Sequence, residues 1–286
     1  MTKKLLIVLG PTAVGKSDFA IEKAKEFSSP IINCDSRQIF KEMNIGVARP
    51  SAEQLAAVKH YLIANHSVTE HYTAGLFELE ALALLEELFK DHDTLVATGG
   101  SGFYIDALCD GLDDFPPADL EIRERLMQQM EEGGIEALQE ELAELDPESY
   151  AAIDISNRQR LVRALEVTIA TGRKFSSYKT SPSKDRPFEI EKIGLRRDRE
   201  QLYERIDARV DAMMAAGLEE EARGLLPYRD MPALNTVGYK ELFDYFDGKY
   251  PLEEAVRLIK RNSRHYAKKQ MTYWRRDSSI NWIDLD

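Results

Sequence analysis

The sequence predicts an α/β fold: a parallel sheet with helices on both faces, interrupted by an all-helical insertion. Three observations carry that expectation. Near-continuous apolar runs such as LLIVL and TLVAT alternate with stretches of helical periodicity, as strands buried on both faces do. A glycine-bearing turn, GPTAVGKS at residues 10–17, follows the first run and opens a helical pattern. Composition then shifts at Pro116-Pro117, after which apolar residues such as Ile122, Leu126 and Met130 recur at helical spacing.

Taken in order, LLIVLG reads as the first strand and a helix follows from about Ser17. PIINCD is a second strand with another helix after it, and TLVATGG a later strand. From residue 119 to about 172 the pattern is helical, broken at Gly133-Gly134 and at Asp146-Pro147. The polar, proline-bearing stretch SSYKTSPSKDRP closes the insertion. EIEKIGLRRD then returns to the sheet, and helical patterns run to the C-terminus. The expected division is residues 1–112 with 187–286 as an α/β core with C-terminal basic helices, and 113–186 as a helical insertion.

The 286 residues, 43% hydrophobic and 31% charged, have the composition of a soluble globular protein. No run approaches the roughly 18 apolar residues of a membrane span. MTKKLLIVLG resembles the start of a signal peptide, but its apolar run falls short of the roughly 7–15 residues required, so a buried strand and a cytoplasmic location are expected. Cys34 and Cys109 form neither a disulfide framework nor a metal-ligand spacing, and free thiols are expected.

The net charge of −12 argues against a nucleic-acid partner until its distribution is considered. Residues 113–154 hold fourteen Asp/Glu against Arg123 and Arg125, which accounts for the whole excess. By contrast, RLIKRNSRHYAKKQMTYWRR at 257–276 carries eight Lys/Arg and no acid, and NRQRLVR adds three arginines at 157–163. Charge sorted in this way builds a basic face on an acidic chain. A cationic helix is otherwise simply a solvated face.

Gly10, Gly15, Lys16 and Ser17 fit G-x-x-x-x-G-K-[ST] with a strand before and a helix after. The glycines turn backbone N–H groups inward, Lys16 supplies a point charge and Ser17 a ligand for Mg²⁺. The helix N-terminus adds a dipole favourable to an anion. The fold is therefore expected to be P-loop NTPase-like. TLVATGG ends without the acidic residue that usually completes the metal site of such ATPases, which weakens motor and switch readings.

Asp35 ends the second strand, where open α/β sheets place their ligand crevice, and a carboxylate there is a candidate general base. It is equally a candidate helix cap, with Gln38 as its capping-box partner. GGSGFY at 99–104 offers either a close backbone approach to a ligand or a tight turn with Phe103 and Tyr104 in the core.

GPTAVGKS, DSRQIF, GVARPS, GGSGFY, NRQRLVRALEV, NTVGYKE and YAKKQMTYWRR together, in this order from residue 5 to about 276, resemble the bacterial tRNA dimethylallyltransferases. The resemblance implies transfer of a dimethylallyl group from its pyrophosphate to the N6 amine of the adenosine 3′-adjacent to the anticodon. It implies that Gly10, Pro11, Thr12, Ala13, Val14, Gly15, Lys16 and Ser17 hold the pyrophosphate and its Mg²⁺, with Lys16 and Ser17 counted as catalytic and Ser17 as the metal ligand. Asp35 becomes the general base. Asp35, Ser36, Arg37 and Gln38, with Gln159, Arg160, Leu161, Val162 and Arg163, match tRNA-contacting segments, as do Ser101, where many members carry Thr, and Arg123. Arg209 and Arg223 match pyrophosphate ligands by looser motifs. No Cys/His pair stands near residue 286, so the zinc finger of eukaryotic relatives is not expected here.

The chemistry points the same way. An adenine amine needs a carboxylate to take its proton, and a departing pyrophosphate needs fixed positive charge. The target base has to leave its stack, which favours a channel between core and insertion. The basic segments, including Lys268 and Lys269, would grip RNA phosphates, and the acidic helices would face away. A monomer is expected, since no long apolar seam is present. Three readings compete: a small-molecule kinase whose loop binds ATP, an RNA-binding module with a structural loop, and a prenyltransferase acting on free adenine nucleotides.

Overall fold

The computed structural model describes residues 2–179 and 183–285; the centre of the proline-bearing stretch, residues 180–182, lies outside them. The chain divides into two compact units, Met1–Gly111 with Asp185–Asp286, and Leu112–Lys184.

Among the described residues, the first unit is built on six strands: β1 (Lys4–Leu9), β2 (Ile31–Asn33), β3 (His60–Tyr61), β4 (Thr94–Gly99), β5 (Glu189–Arg196) and β6 (Ile280–Asp284). They lie side by side as β3-β2-β4-β1-β5-β6, and every pairing is parallel. β1 is central, and Leu5 to Leu9 are buried on both faces, as the unbroken apolar run requires. The edge strand β6 departs from the helical pattern expected up to the C-terminus. Its residues INWID bury only Ile280, so neither apolar alternation nor a continuous run marks it. β3 is two half-buried residues long and carries as little signal.

Four helices accompany the first half of the sheet: α1 (Lys16–Glu26), α2 (Ala52–Ala57), α3 (Ala74–Leu88) and α4 (Gly102–Cys109). No helix begins at Asp35; residues 36–39 form a turn, and the next helix is capped by Ser51 in a capping box with Gln54.

The second unit contains α5 (Leu120–Leu145), α6 (Pro147–Ala152) and α7 (Arg158–Thr171). Gly134, with φ 81 and ψ 174, breaks α5 where the glycine pair stands. Asp146 is fully buried and caps α6 by accepting from Ser149 N, with Pro147 at the first helical position. Leu126, Leu138, Leu142, Leu161 and Leu165 form this unit's own core.

After β5, the first unit resumes with α8 (Arg199–Ala215), α9 (Leu218–Leu225), α10 (Tyr239–Phe246) and α11 (Leu252–Trp274). One face of α11 buries Ala255, Ile259, Ala267, Gln270 and Trp274, while His265, Lys268, Lys269 and Thr272 are exposed. An amphipathic helix results, with no acidic residue from 257 to its C-terminal end.

Candidate active site

The carboxyl ends of β1, β2 and β4 converge on a cavity of about 530 Å³ lined by Thr12, Lys16, Ser17, Asp35, Gly100, Arg209 and Gln270, among others. Residues 10–17 form the loop after β1. Gly10 has φ 151, and a Cβ there would stand 2.6 Å from the Leu195 carbonyl oxygen; Gly15 has φ 113. Side chains are disfavoured at both positions, which is why this turn needs its glycines.

Lys16 Nζ donates to Gly10 O and Pro11 O, both at 2.8 Å. Burial, reinforced by the Arg209 charge and opposed by Asp35, lowers its pKa to about 7. Arginines brace the loop. Arg209 Nη1 donates to Thr12 Oγ1 (3.2 Å), Arg205 Nε to Ala13 O (2.9 Å) and Arg197 Nε to Val14 O (3.0 Å). Burial holds Arg209 below the usual guanidinium range. The sequence reading reached Arg209 and missed Arg205 and Arg197, although α8 presents 205 and 209 at i,i+4 spacing. Arg223 is not brought to this cavity. It pairs with Glu219 at 2.8 Å and lies 4.2 Å from the Phe246 ring.

Asp35 fulfils part of each role open to it. Its Oδ1 accepts from Arg37 N (2.9 Å) and Gln38 N (3.3 Å), fixing the turn. No hydrogen bond among the described residues engages Oδ2, and the residue lines the cavity. Gln38 does not close a capping box. Its Nε2 donates to Val47 O (3.1 Å) and Ala48 O (3.0 Å), tying DSRQ to GVAR. The 44–46 turn is held from the other side by Glu221, which accepts from Asn44 N, Ile45 N, Gly46 N and the Tyr239 hydroxyl. Ser101, matched to a tRNA contact by the resemblance, is bonded to the residue after Asp35: its Oγ accepts from Ser36 N at 2.8 Å and bonds Ser36 Oγ at 3.0 Å.

The glycines of GGSGFY make room for protein. A Cβ on Gly99 would stand 2.2 Å from Cys34 O, one on Gly100 2.7 Å from Gln270 Nε2, and one on Gly102 2.4 Å from the Tyr273 ring. The aromatic pair divides: Tyr104 is buried and Phe103 exposed.

A second recess of about 120 Å³ adjoins the first, sharing Thr12, Asp35, Val47, Arg209 and Tyr266 with it. Its remaining wall is mainly apolar, with Ile206, Val210, Met213, Val237 and Ile259. Asp35 thus stands where a polar, cation-lined chamber meets an apolar one. Tyr266 on α11 lines both chambers and Gln270, one turn on, lines the polar one; neither was singled out from the sequence, although both lie in YAKKQMTYWRR.

The family model for IPP transferase matches residues 38–277. The chain belongs to the IPP transferase family. It is 51% identical over 279 residues to tRNA dimethylallyltransferase 2 of Porphyromonas gingivalis, covering 98% of this chain and 93% of that protein. Among solved structures, the full-length tRNA isopentenylpyrophosphate transferase of Bacillus halodurans superposes with TM-score 0.73 at 35% identity, covering 99% of this chain and 91% of that one. A eukaryotic dimethylallyltransferase acting on tRNA shares the fold, with TM-score 0.80 at 23% identity over 99% of this chain and 74% of its own. The expected P-loop NTPase-like parallel sheet is the fold observed in this IPP transferase.

In the helical unit, the segments matched to tRNA contacts divide by burial. Gln159 and Arg160 are exposed at the start of α7, whereas Leu161 and Val162 are buried in the core and offer no side chain to a partner. Arg123 and Arg163 converge on Glu166, which is fully buried. Arg123 reaches it through Nε (2.8 Å) and Nη2 (2.7 Å), Arg163 through Nη1, and Asp119 N donates at 3.1 Å. Helical spacing alone could have paired Arg163 with Glu166; nothing in the sequence announced Arg123 as its neighbour.

No helix among the described residues is long and apolar enough to cross a membrane.

Proposed function

We propose that the enzyme transfers a dimethylallyl group from dimethylallyl pyrophosphate to the N6 amine of the adenosine 3′-adjacent to the anticodon in tRNA. The observation carrying this reading is the position of Asp35, at the junction of the glycine-loop chamber and the apolar recess. A donor whose pyrophosphate sits on residues 10–17 and a base entering from the other side would meet at its carboxylate.

The loop N–H groups, Lys16 and Arg209 stabilise the charge that grows on pyrophosphate as the allylic C–O bond breaks. The amine nitrogen forms the new bond to that carbon, and Asp35 Oδ2 takes the proton released. Oδ1, fixed by two backbone N–H groups, keeps the carboxylate aimed. Ser17 would hold Mg²⁺ together with donor oxygens and water, the ligand set this cation prefers. Bound there, Mg²⁺ supplies positive charge to the leaving group.

RNA phosphates would be held by Gln159 and Arg160 on α7 and by Lys268 and Lys269 on α11, with Arg123 offering the outer edge of its guanidinium, while Arg163, engaged by Glu166 and by the Pro116 carbonyl, would act through its charge. Arg37, which lines the apolar recess, and Ser36 would meet the acceptor nucleotide. Gln38, with its amide donors committed to Val47 and Ala48, contributes through its carbonyl oxygen.

Incubation with undermodified tRNA, Mg²⁺ and dimethylallyl pyrophosphate, followed by digestion and mass spectrometry of the nucleosides, tests the reading. N6-isopentenyladenosine is the expected product. Its absence, with ATP consumed in the presence of a small alcohol, would favour the kinase reading.

A further inference from the structure

Gln270 is 6% exposed and makes two hydrogen bonds to separate segments of the site. Its Oε1 accepts from Thr12 N in the glycine loop (2.8 Å), and its Nε2 donates to Gly100 O after β4 (2.8 Å). The next residue, Ser101, holds Ser36, which follows Asp35. One amide therefore links the loop that would carry the donor to the turn that carries the base. Gly100 has no side chain because a Cβ would meet this amide, so its lack of a side chain serves the link.

We infer that Gln270 is a positioning residue, setting the distance between the donor cradle and the Asp35 carboxylate. The inference rests on the prenyl-transfer reading above. Reacting groups need near-attack separation, and a displacement of about 1 Å costs roughly 10²-fold in rate. The amide is suited to the task because it accepts at one end and donates at the other, which neither a carboxylate nor an apolar side chain of similar size does. The same helix exposes His265, Lys268, Lys269 and Thr272 on another face, so the link is anchored in the element proposed to grip RNA.

Two variants test this in the full-length enzyme. Gln270→Leu removes both hydrogen bonds at similar volume. The expectation is a fall in kcat of at least about tenfold with both substrates saturating. Affinities for dimethylallyl pyrophosphate and for tRNA should stay within about threefold, since both bonds of the Gln270 amide are made to protein, at Thr12 N and Gly100 O. Gln270→Glu retains the acceptor for Thr12 N–H but meets Gly100 O without a proton. Its activity relative to wild type should rise as pH falls and the carboxyl recovers a donor. Asp18, Lys16, Asp35, His60, Arg205, Arg209 and Tyr266, the other titratable groups of the cavity, are common to both proteins, so the ratio of profiles reports residue 270. Should the Leu variant fail to fold, the Glu profile decides alone. A Leu variant with kcat within twofold of wild type, a selective loss of donor affinity, or a Glu profile parallel to wild type each overturns the inference. Wild-type enzyme that yields no isopentenyladenosine overturns the parent reading instead, and the inference with it.

Discussion

The two units of this enzyme use arginine in opposite ways. In the α/β unit, Arg205 and Arg209 direct hydrogen bonds to oxygens of the glycine loop, at Ala13 and Thr12. Those partners are neutral, so the positive charge stays available to an anion in the cavity. In the helical unit, Arg123 and Arg163 share the buried carboxylate of Glu166, and three charged groups leave a net charge of one. An arginine on a neutral partner is poised for a ligand, while one on a buried carboxylate is first of all part of the fold. Counting basic residues along a chain does not separate the two.

The largest effect should come from the α/β unit. Asp35→Asn keeps an oxygen for Arg37 N and Gln38 N while removing the base. Turnover is expected to fall about 10²–10⁴-fold, with tRNA affinity changed less than about threefold. Single-turnover kinetics beside filter binding separates these quantities. Loss of tRNA affinity with unchanged turnover at saturating tRNA would mean that Asp35 holds RNA and takes no proton.

In the helical unit the corresponding change should act on stability. Glu166→Ala leaves two guanidiniums and the Asp119 N–H without their acceptor. Breaking a buried ion pair costs about 3–5 kcal/mol, and the partly solvated arginines bring the expectation down to about 2–3 kcal/mol. Hydrogen exchange should lose protection in α5 and α7 and keep it in β1 and β4, with kcat at saturating tRNA within about twofold. Equal loss of protection in both units would erase the distinction between them.

A third test concerns the cation charge itself. Lys16 titrates near 7 in the free enzyme because it is buried beside Arg209, and a bound pyrophosphate would raise that value by favouring the charged form. Below pH 7 the ammonium is already present; above it, each donor bound must bring a proton onto Lys16. Donor affinity should therefore fall by up to about tenfold per pH unit between pH 7 and 9. Calorimetry in buffers of different ionisation enthalpy would register the proton uptake. Lys16→Arg, charged throughout, should flatten the dependence; a wild-type affinity independent of pH above 7 would show that Lys16 keeps one protonation state with and without the donor.

What the sequence disclosed follows from how local each signal is. The apolar run of β1, the glycine loop and the helical periodicity of residues 119–172 are set by near neighbours and were legible. Asp35 was legible as a carboxylate at a strand end, but its division between turn and cavity was not, because that depends on β4 and α11. Gln270 lies 258 residues from Thr12, and Glu221, 175 residues from Gly46, braces the 44–46 turn. Polar bonds over such separations leave no periodic trace. Arg223 shows the converse, a plausible residue by motif that folding delivers to Glu219 and Phe246.

The smallest expected effect is the one that most directly compares the two kinds of cation. Lys268 and Lys269 lie on the exposed face of α11 and form no ion pair among the described residues, so each phosphate they meet should release one condensed counterion. Replacing both by Ala should lower the slope of log K for tRNA against log salt by about 0.7–0.9 for each phosphate no longer neutralised. Arg123→Ala should lower that slope by less than one such step, because Glu166 already balances much of its charge. Binding isotherms at several salt concentrations resolve the difference without any catalytic readout. If Arg123 lowered the slope as much per residue as the two lysines, the buried carboxylate would be aiming the arginine at RNA without neutralising it, and the helical unit's ion cluster would belong with the binding surface.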